Sequence, residues 1–239
     1  MKKRPANLIY ILPNLFTAAS IFSGVFSIIS AVNGNFEKAA WLIMLSLIFD
    51  GLDGRVARLT NTCSKFGVEF DSLADMVAFG VAPALLMYLF VGHEFGRFGV
   101  VASALFVIFG AIRLARFNVM TVSSEPSVFI GVPIPTAAVF VSLLVLLFQK
   151  YGFNEGYGLV IMLLSILVSL LMVSNIRYPS FKKVDFSPKH AMKLFVFILS
   201  ALFVVFMYPI EGFALIFVLY IMYGLVRAAM LMPKRLGKK

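Results

Sequence analysis

The sequence predicts an all-α polytopic membrane protein with about eight transmembrane helices. Three observations carry that prediction. Apolar residues fill 61% of the 239 positions and charged residues only 13%, whereas soluble domains sit nearer one half and one quarter. The mean hydropathy is +0.98. The apolar residues also gather into runs of the roughly 17 to 25 residues that a helix needs to cross a hydrocarbon core. Such a chain is expected to form a single integral membrane domain over 1–239.

In order, the expected spans are about 10–32, 38–58, 68–91, 98–117, 133–149, 157–175, 191–209 and 212–231. The first follows a basic start and resembles a signal peptide at first sight. Its apolar run is broken at Pro13-Asn14 and continues to about Val32, which is the pattern of a retained span. The second and third are the least apolar, because they carry aspartates. Fourth to sixth are uninterrupted apolar runs, and Pro133 and Pro135 shape the start of the fifth. A polar stretch, 174–193, separates the sixth from two C-terminal helices at about 191–231.

Basic residues set the orientation, because cytoplasmic loops retain Lys and Arg. With the N-terminus in the cytoplasm, only Lys38, Arg97 and Lys150 of the 21 basic residues fall in outer loops. Both termini are therefore expected inside, with the aspartates at the cytoplasmic ends of spans two and three. This asymmetry explains the net charge of +10 without a nucleic-acid partner. Cys63 is the single cysteine, so no intrachain disulfide is expected.

Chemistry concentrates in DGLDGRVARLTNTCSKFGVEFDSLAD, residues 50–75. Asp50 and Asp53 are three apart, Asp71 and Asp75 four apart, so each pair shares a helix face. A carboxylate near the bilayer centre costs roughly 2.5 to 3.5 kcal/mol. Four together need a polar cavity and cations. Two such faces opposed make an all-oxygen cage, suited to Mg²⁺, Mn²⁺ or Ca²⁺ and not to zinc. Gly54 and Ala57 lack bulk on the Asp50 and Asp53 face, and Gly67 precedes the second pair. Something large is expected to lie against these positions. Arg58 is placed to pair with a phosphate. The implied reaction is displacement at phosphorus, with metal clamping the oxygens and a spare carboxylate taking the proton of the attacking hydroxyl.

The stretch reads D-G-x-x-D-G-x-x-A-R-x8-G-x3-D-x3-D without departure, from Asp50 through Gly67 and Asp71 to Asp75. This resembles the signature of the CDP-alcohol phosphatidyltransferases. The resemblance implies a reaction in which a CDP-linked lipid and an alcohol give a phosphodiester lipid and CMP. It implies two divalent ions on Asp50, Asp53, Asp71 and Asp75, with Asp75 as the base. Gly54, Ala57, Arg58 and Gly67 would face the cytidine diphosphate. It also implies a six-helix core, here about 10–175, with the two C-terminal helices added, and a homodimer.

Outside the motif, PNLFTAAS, AIRLARFNV, GVPIPTAA and SNIRYPSFK are similar to the bacterial and archaeal phosphatidylserine synthase branch of that family. The likeness implies CDP-diacylglycerol and L-serine as substrates, in a prokaryotic cytoplasmic membrane among its lipids. Arg113 and Arg116, three apart and followed by Asn118, suit a carboxylate or an acceptor phosphate. They also suit simple anchoring at the inner surface. Arg177 and Lys182 present the same choice in the polar loop. Asn14 and Thr17 share a face behind Pro13, either to hydrogen-bond the nucleotide or to accommodate a kink. Glycerol phosphate or inositol phosphate stands as the alternative acceptor. A divalent-cation transporter is the alternative from another class, but it needs polar residues continuing to the outer face, and the outer halves of these spans are apolar.

Overall fold

The computed structural model describes residues 11–120, 128–152, 155–179, 199–200 and 202–236. Helix α1 spans Ile11–Val32 and α2 Phe36–Leu59. A tight turn follows, with Asn61 in the left-handed region at φ 53°. Ser64 then caps α3 (Lys65–Asp75) by accepting from the Gly67 N–H at 3.0 Å, as a serine before a helix commonly does. Met76–Val81 adopts π-helical geometry and leads into α4 (Ala82–Phe90), so that Lys65–Phe90 forms one continuous rod. Helix α5 covers Arg97–Met120, α6 Ile134–Tyr151, α7 Gly158–Val173 and α8 Pro209–Leu236.

Five of these rods are long and apolar enough to cross a membrane: α1, Lys65–Phe90, α5, α6 and the first part of α8. Helix α2 has the length, 24 residues, but gives up apolarity to its charges. The expected boundaries shift by a few residues. Span two continues to Leu59, span three starts at Lys65, and span six is a 16-residue helix that ends at Val173. The expected seventh span, 191–209, lies mostly outside the described residues.

One departure from an all-helical chain is a two-stranded antiparallel sheet. Val128–Ile130 (β1) pairs with Arg177–Pro179 (β2), with Ile130 opposite Arg177. Pairs of three residues are too short to leave a periodicity in the sequence. Gly131 ends β1 at φ 77°, and a Cβ there would lie 2.2 Å from the Met172 carbonyl oxygen. Its N–H donates to the Ile176 carbonyl at 2.8 Å.

Helix α6 is the centre of the bundle, 61% buried against 17% for α8. Around it, α1 and α2 pack along a seam of small hydroxyl residues. The buried face of α1 carries Thr17, Ser20, Ser23, Gly24, Ser27 and Ser30. Ser27 donates to the Ala39 carbonyl at 2.8 Å, and Ser46 to the Ser20 carbonyl at 2.7 Å. Small residues let backbones approach in lipid, and hydroxyls then bond across the gap. Gly24 is where α1 meets the π-helical segment, since a Cβ there would lie 2.8 Å from Ala78 Cα.

Candidate active site

Because the turn after α2 is short, α2 and α3 run antiparallel and turn their carboxylates toward each other. Oxygens of Asp50, Asp53 and Asp71 all lie within 4.8 Å of one another. Asp75 lies beyond this triad and neighbours Asp50. Asp53 is buried, and the other three are half-buried. Asp75 is the last residue before the π-helical turn. Wide i→i+5 turns of this kind gather at functional sites. Here the turn lets Ala78, Phe79 and Ala82 keep facing the core while Asp71 and Asp75 face α2.

Three carboxylates at this separation repel one another strongly, and a cation between them reverses the sign. Asp71 Oδ1 and Asp75 Oδ1 are buried with no hydrogen-bond partner among the described residues. Each such orphaned acceptor costs about 1–3 kcal/mol. The donor set is all oxygen, with a half-buried cage and lone pairs left over. These residues therefore fit a hard divalent ion.

Asp53 has a support of its own. Thr17 Oγ1 donates to Asp53 Oδ2 at 2.7 Å across the α1–α2 seam. Only 3.3 Å away is the Pro13 carbonyl oxygen, the weaker alternative for that proton. Thr17 thus spends its hydroxyl proton on a carboxylate of the cage, and the geometry makes it a partner that orients a ligand. Outer-shell partners of this type are worth 10–100-fold in metal affinity. Thr17→Val is expected to weaken Mn²⁺ binding by about tenfold or more, read by titrating the purified protein with the ion. Unchanged affinity would remove this role.

A cavity of about 200 Å³ opens beside Asp53 and Asp71. All six positions expected to face a nucleotide line it: Asn14, Thr17, Gly54, Ala57, Arg58 and Gly67. Thr62, Cys63, Ser64 and Val68 complete the wall. The Arg58 guanidinium folds over Gly54, where a Cβ would stand 3.4 Å from its Nη1. At Gly67 a Cβ would sit 3.2 Å from Ser64 Oγ and 3.7 Å from Asn14 Oδ1. The two glycines keep the cavity open between α1, α2 and α3.

The two arginines of α5 part company. Arg113 is only 7% exposed. Its charge acts on Asp75 and Asp50, yet no residue lies close enough to form a salt bridge with it among the described residues. Its guanidinium lies 5.3 Å from the Phe117 ring centroid. Arg116 is fully engaged. Its Nη1 donates to the Val173 carbonyl at 3.2 Å and Asn175 Oδ1 at 3.3 Å, and its Nη2 to the carbonyls of Ile130 and Ser174, both at 3.2 Å. Of the two readings of Arg116, acceptor binding and anchoring, these four bonds support anchoring. Arg116 lies one turn nearer the helix end, where carbonyls without helical partners converge, and it clamps α5 to the end of α7 and to β1. Asn118 donates through Nδ2 to Ser72 Oγ at 3.0 Å, tying α5 to α3. Arg177 lies in β2 opposite Ile130, and Lys182 lies outside the described residues.

Tyr220 of α8 and Tyr178 of β2, which no motif in the sequence marks, meet in the folded chain. The Tyr220 ring lies 5.4 Å from that of Tyr178 in β2. No local pattern marks either tyrosine, because the segments that carry them meet only in the folded chain.

An apolar bundle with an oxygen-ligand cage at one end of two helices defines an integral membrane enzyme of the divalent-metal class. The family model for CDP-alcohol phosphatidyltransferases matches residues 10–172, and the chain belongs to that family. A curated relative from Helicobacter pylori, a CDP-diacylglycerol–serine O-phosphatidyltransferase, is 56% identical over 236 residues, covering 98% of both chains. One of the same name from Methanocaldococcus jannaschii is 38% identical over 187 residues, covering 78% of this chain and 82% of its own. An archaetidylserine synthase from Methanothermobacter thermautotrophicus is 38% identical over 170 residues, covering 70% of this chain and 69% of its own.

Proposed function

We propose that the chain transfers the phosphatidyl group of CDP-diacylglycerol to L-serine, giving phosphatidylserine and CMP. One observation carries the reading. A small-residue cavity with Arg58 at its wall opens beside Asp53 and Asp71, and the buried Arg113, which does not line that cavity, acts electrostatically on Asp75 and Asp50. In this reading the nucleotide takes the cavity and the anionic acceptor takes Arg113. The names of the relatives support serine as that acceptor.

In this reading the cytidine diphosphate lies against Gly54, Ala57 and Gly67, with Asn14 beside it and Arg58 paired to a phosphate. Asp50, Asp53, Asp71 and Asp75 would hold divalent metal, Mg²⁺ or Mn²⁺ as two ions, which supplies charge neutralisation on the pyrophosphate oxygens. Arg113 binds the serine carboxylate through its fork. Asp75 takes the proton of the serine hydroxyl. The hydroxyl oxygen then bonds to the lipid-side phosphorus, and that phosphorus breaks its bond to the bridging oxygen, which leaves with CMP. Asp75 is suited to this role by standing outside the close triad with one oxygen unpartnered.

The remaining assignments belong to the same proposal. The chain is one domain with its catalytic core at about 10–175, and it works as a homodimer. The aspartate end and both termini face the cytoplasm of a prokaryotic cell, as the basic residues argue. Arg177 and Lys182 would meet anionic headgroups there.

An acceptor panel tests the reading. Purified protein with CDP-diacylglycerol and Mg²⁺ or Mn²⁺ should release CMP with L-serine. Release with glycerol 3-phosphate or inositol phosphate, but not with serine, would overturn the acceptor while leaving the family chemistry intact.

A further inference from the structure

Helix α3 carries two of the four aspartates, yet little apolar burial holds it. Of its 11 residues only Ala74 is buried, and Phe66, Val68 and Leu73 are each more than half exposed. An apolar side chain that faces lipid does nothing to fix the rotation of its helix, so polar links carry more of that task. We propose that Ser72, held by Asn118, is a positioning residue that sets the rotation of α3 and with it the aim of Asp71 and Asp75 at a bound metal ion. This rests on the reading of the aspartates as metal ligands given above.

The bonding at Ser72 is the first support. Asn118 Nδ2 donates to Ser72 Oγ at 3.0 Å, and Ser72 Oγ donates in turn to the Val68 carbonyl, one turn back, at 3.1 Å. The hydroxyl thus joins the end of α5 to the backbone of α3. Its place on the helix is the second. At about 100° per residue, with Asp71 at zero, Asp75 falls at about 40° and Ser72 at about 100°. The bond therefore sits beside the carboxylate stripe, where a pull turns the helix. The third support is that Asn118 is itself held in place. Arg116, two residues before it, donates to the carbonyls of Val173, Ile130 and Ser174. Position passes from α7 and β1 through the end of α5 to the metal-bearing helix. Amide and hydroxyl are both neutral, so the link orients the carboxylates without adding a charge beside them.

The test titrates the full chain in detergent with Mn²⁺ and, in parallel, measures Tm, kcat and the KM for serine with CDP-diacylglycerol. Asn118→Ala and Ser72→Ala should each weaken Mn²⁺ binding about three- to tenfold, the worth of one neutral hydrogen bond, and lower kcat, with KM for serine near its wild-type value. The double variant should bind Mn²⁺ no more weakly than either single one, because both substitutions remove the same bond. Ser72→Thr keeps the hydroxyl and should recover most of the affinity. Ser72→Ala introduces a strong helix former, so it reports on the bond even where Asn118→Ala folds poorly. If both alanine variants keep wild-type Mn²⁺ affinity, whether or not Tm falls, the bond is only structural and the inference fails. It also fails if the two losses add in the double variant. If Asn118→Ala raises the KM for serine and leaves Mn²⁺ affinity alone, Asn118 meets the acceptor instead. If wild type binds no Mn²⁺, the reading of the aspartates falls first and takes this inference with it.

Discussion

Asp75→Asn should abolish serine-dependent CMP release, lowering kcat by about 10² to 10⁴, the range that a positioned general base contributes. The substitution is nearly isosteric, so the helix and the π-helical turn that follows it are expected to stay in place. An amide cannot accept the hydroxyl proton. Asp50, Asp53 and Asp71 remain within 4.8 Å of one another, so Mn²⁺ binding at that triad should persist in the purified variant. The two measurements together separate a lost base from a lost metal site. Full CMP release by the variant, with metal bound, would show that the proton goes elsewhere.

Arg113→Gln is expected to have the second largest effect. The guanidinium is buried and carries no salt bridge among the described residues, so its fork is open to a ligand. A charge-assisted hydrogen bond is worth about 1.5–3 kcal/mol. The KM for serine should therefore rise roughly 10- to 150-fold by that figure. KM for CDP-diacylglycerol should stay near its wild-type value, because Arg113 does not line the cavity proposed for the nucleotide. Arg113→Lys should restore only part of the affinity, since an ammonium cannot bind a carboxylate through two parallel bonds. An equal rise in both KM values would mean that Arg113 supports the cage and not the acceptor.

The pair Arg113 and Arg116 also shows how far the sequence could be read. Their spacing of three put both on one side of a helix, and both lie in α5. It could not tell them apart. One is buried behind Asp75, and the other is consumed by four acceptors that lie 14 to 59 residues away in sequence. The aspartate triad and the cavity beside it were legible because their residues lie within one helix–turn–helix plus a single neighbouring seam. There, periodicity and residue size translate almost directly into position. The meeting of α5, β2 and α8 was not, because it forms only in the folded chain. Tyr178 and Tyr220 are 42 positions apart in a chain that uses 8 tyrosines, and nothing local distinguishes these two. Thr17 was placed correctly on its face but given a different partner. The sequence shows that a hydroxyl points inward, not that a carboxylate waits 2.7 Å away.

The hydroxyl seam between α1 and α2 has a mechanical consequence. Its bonds succeed one another along the pair, from Ser27 to Ala39, from Ser46 to Ser20, and from Thr17 to Asp53. Hydrocarbon offers no competing partner for such groups, so opening the seam would mean breaking several bonds at once with nothing to replace them. The two helices move as one stiff strut. Two-tailed lipid must still slip sideways into the cage and a product must slip out at every turnover. That breathing falls more easily to α8, which borders α2 and α6 through Phe213 and Phe217 and is held mainly by apolar contact and, in its first turn, by Glu211 bonded to Lys150 and Tyr151. Bonded hydroxyls thus stiffen the pair of helices that reaches the aspartates, while apolar contact leaves α8 the easier side to yield.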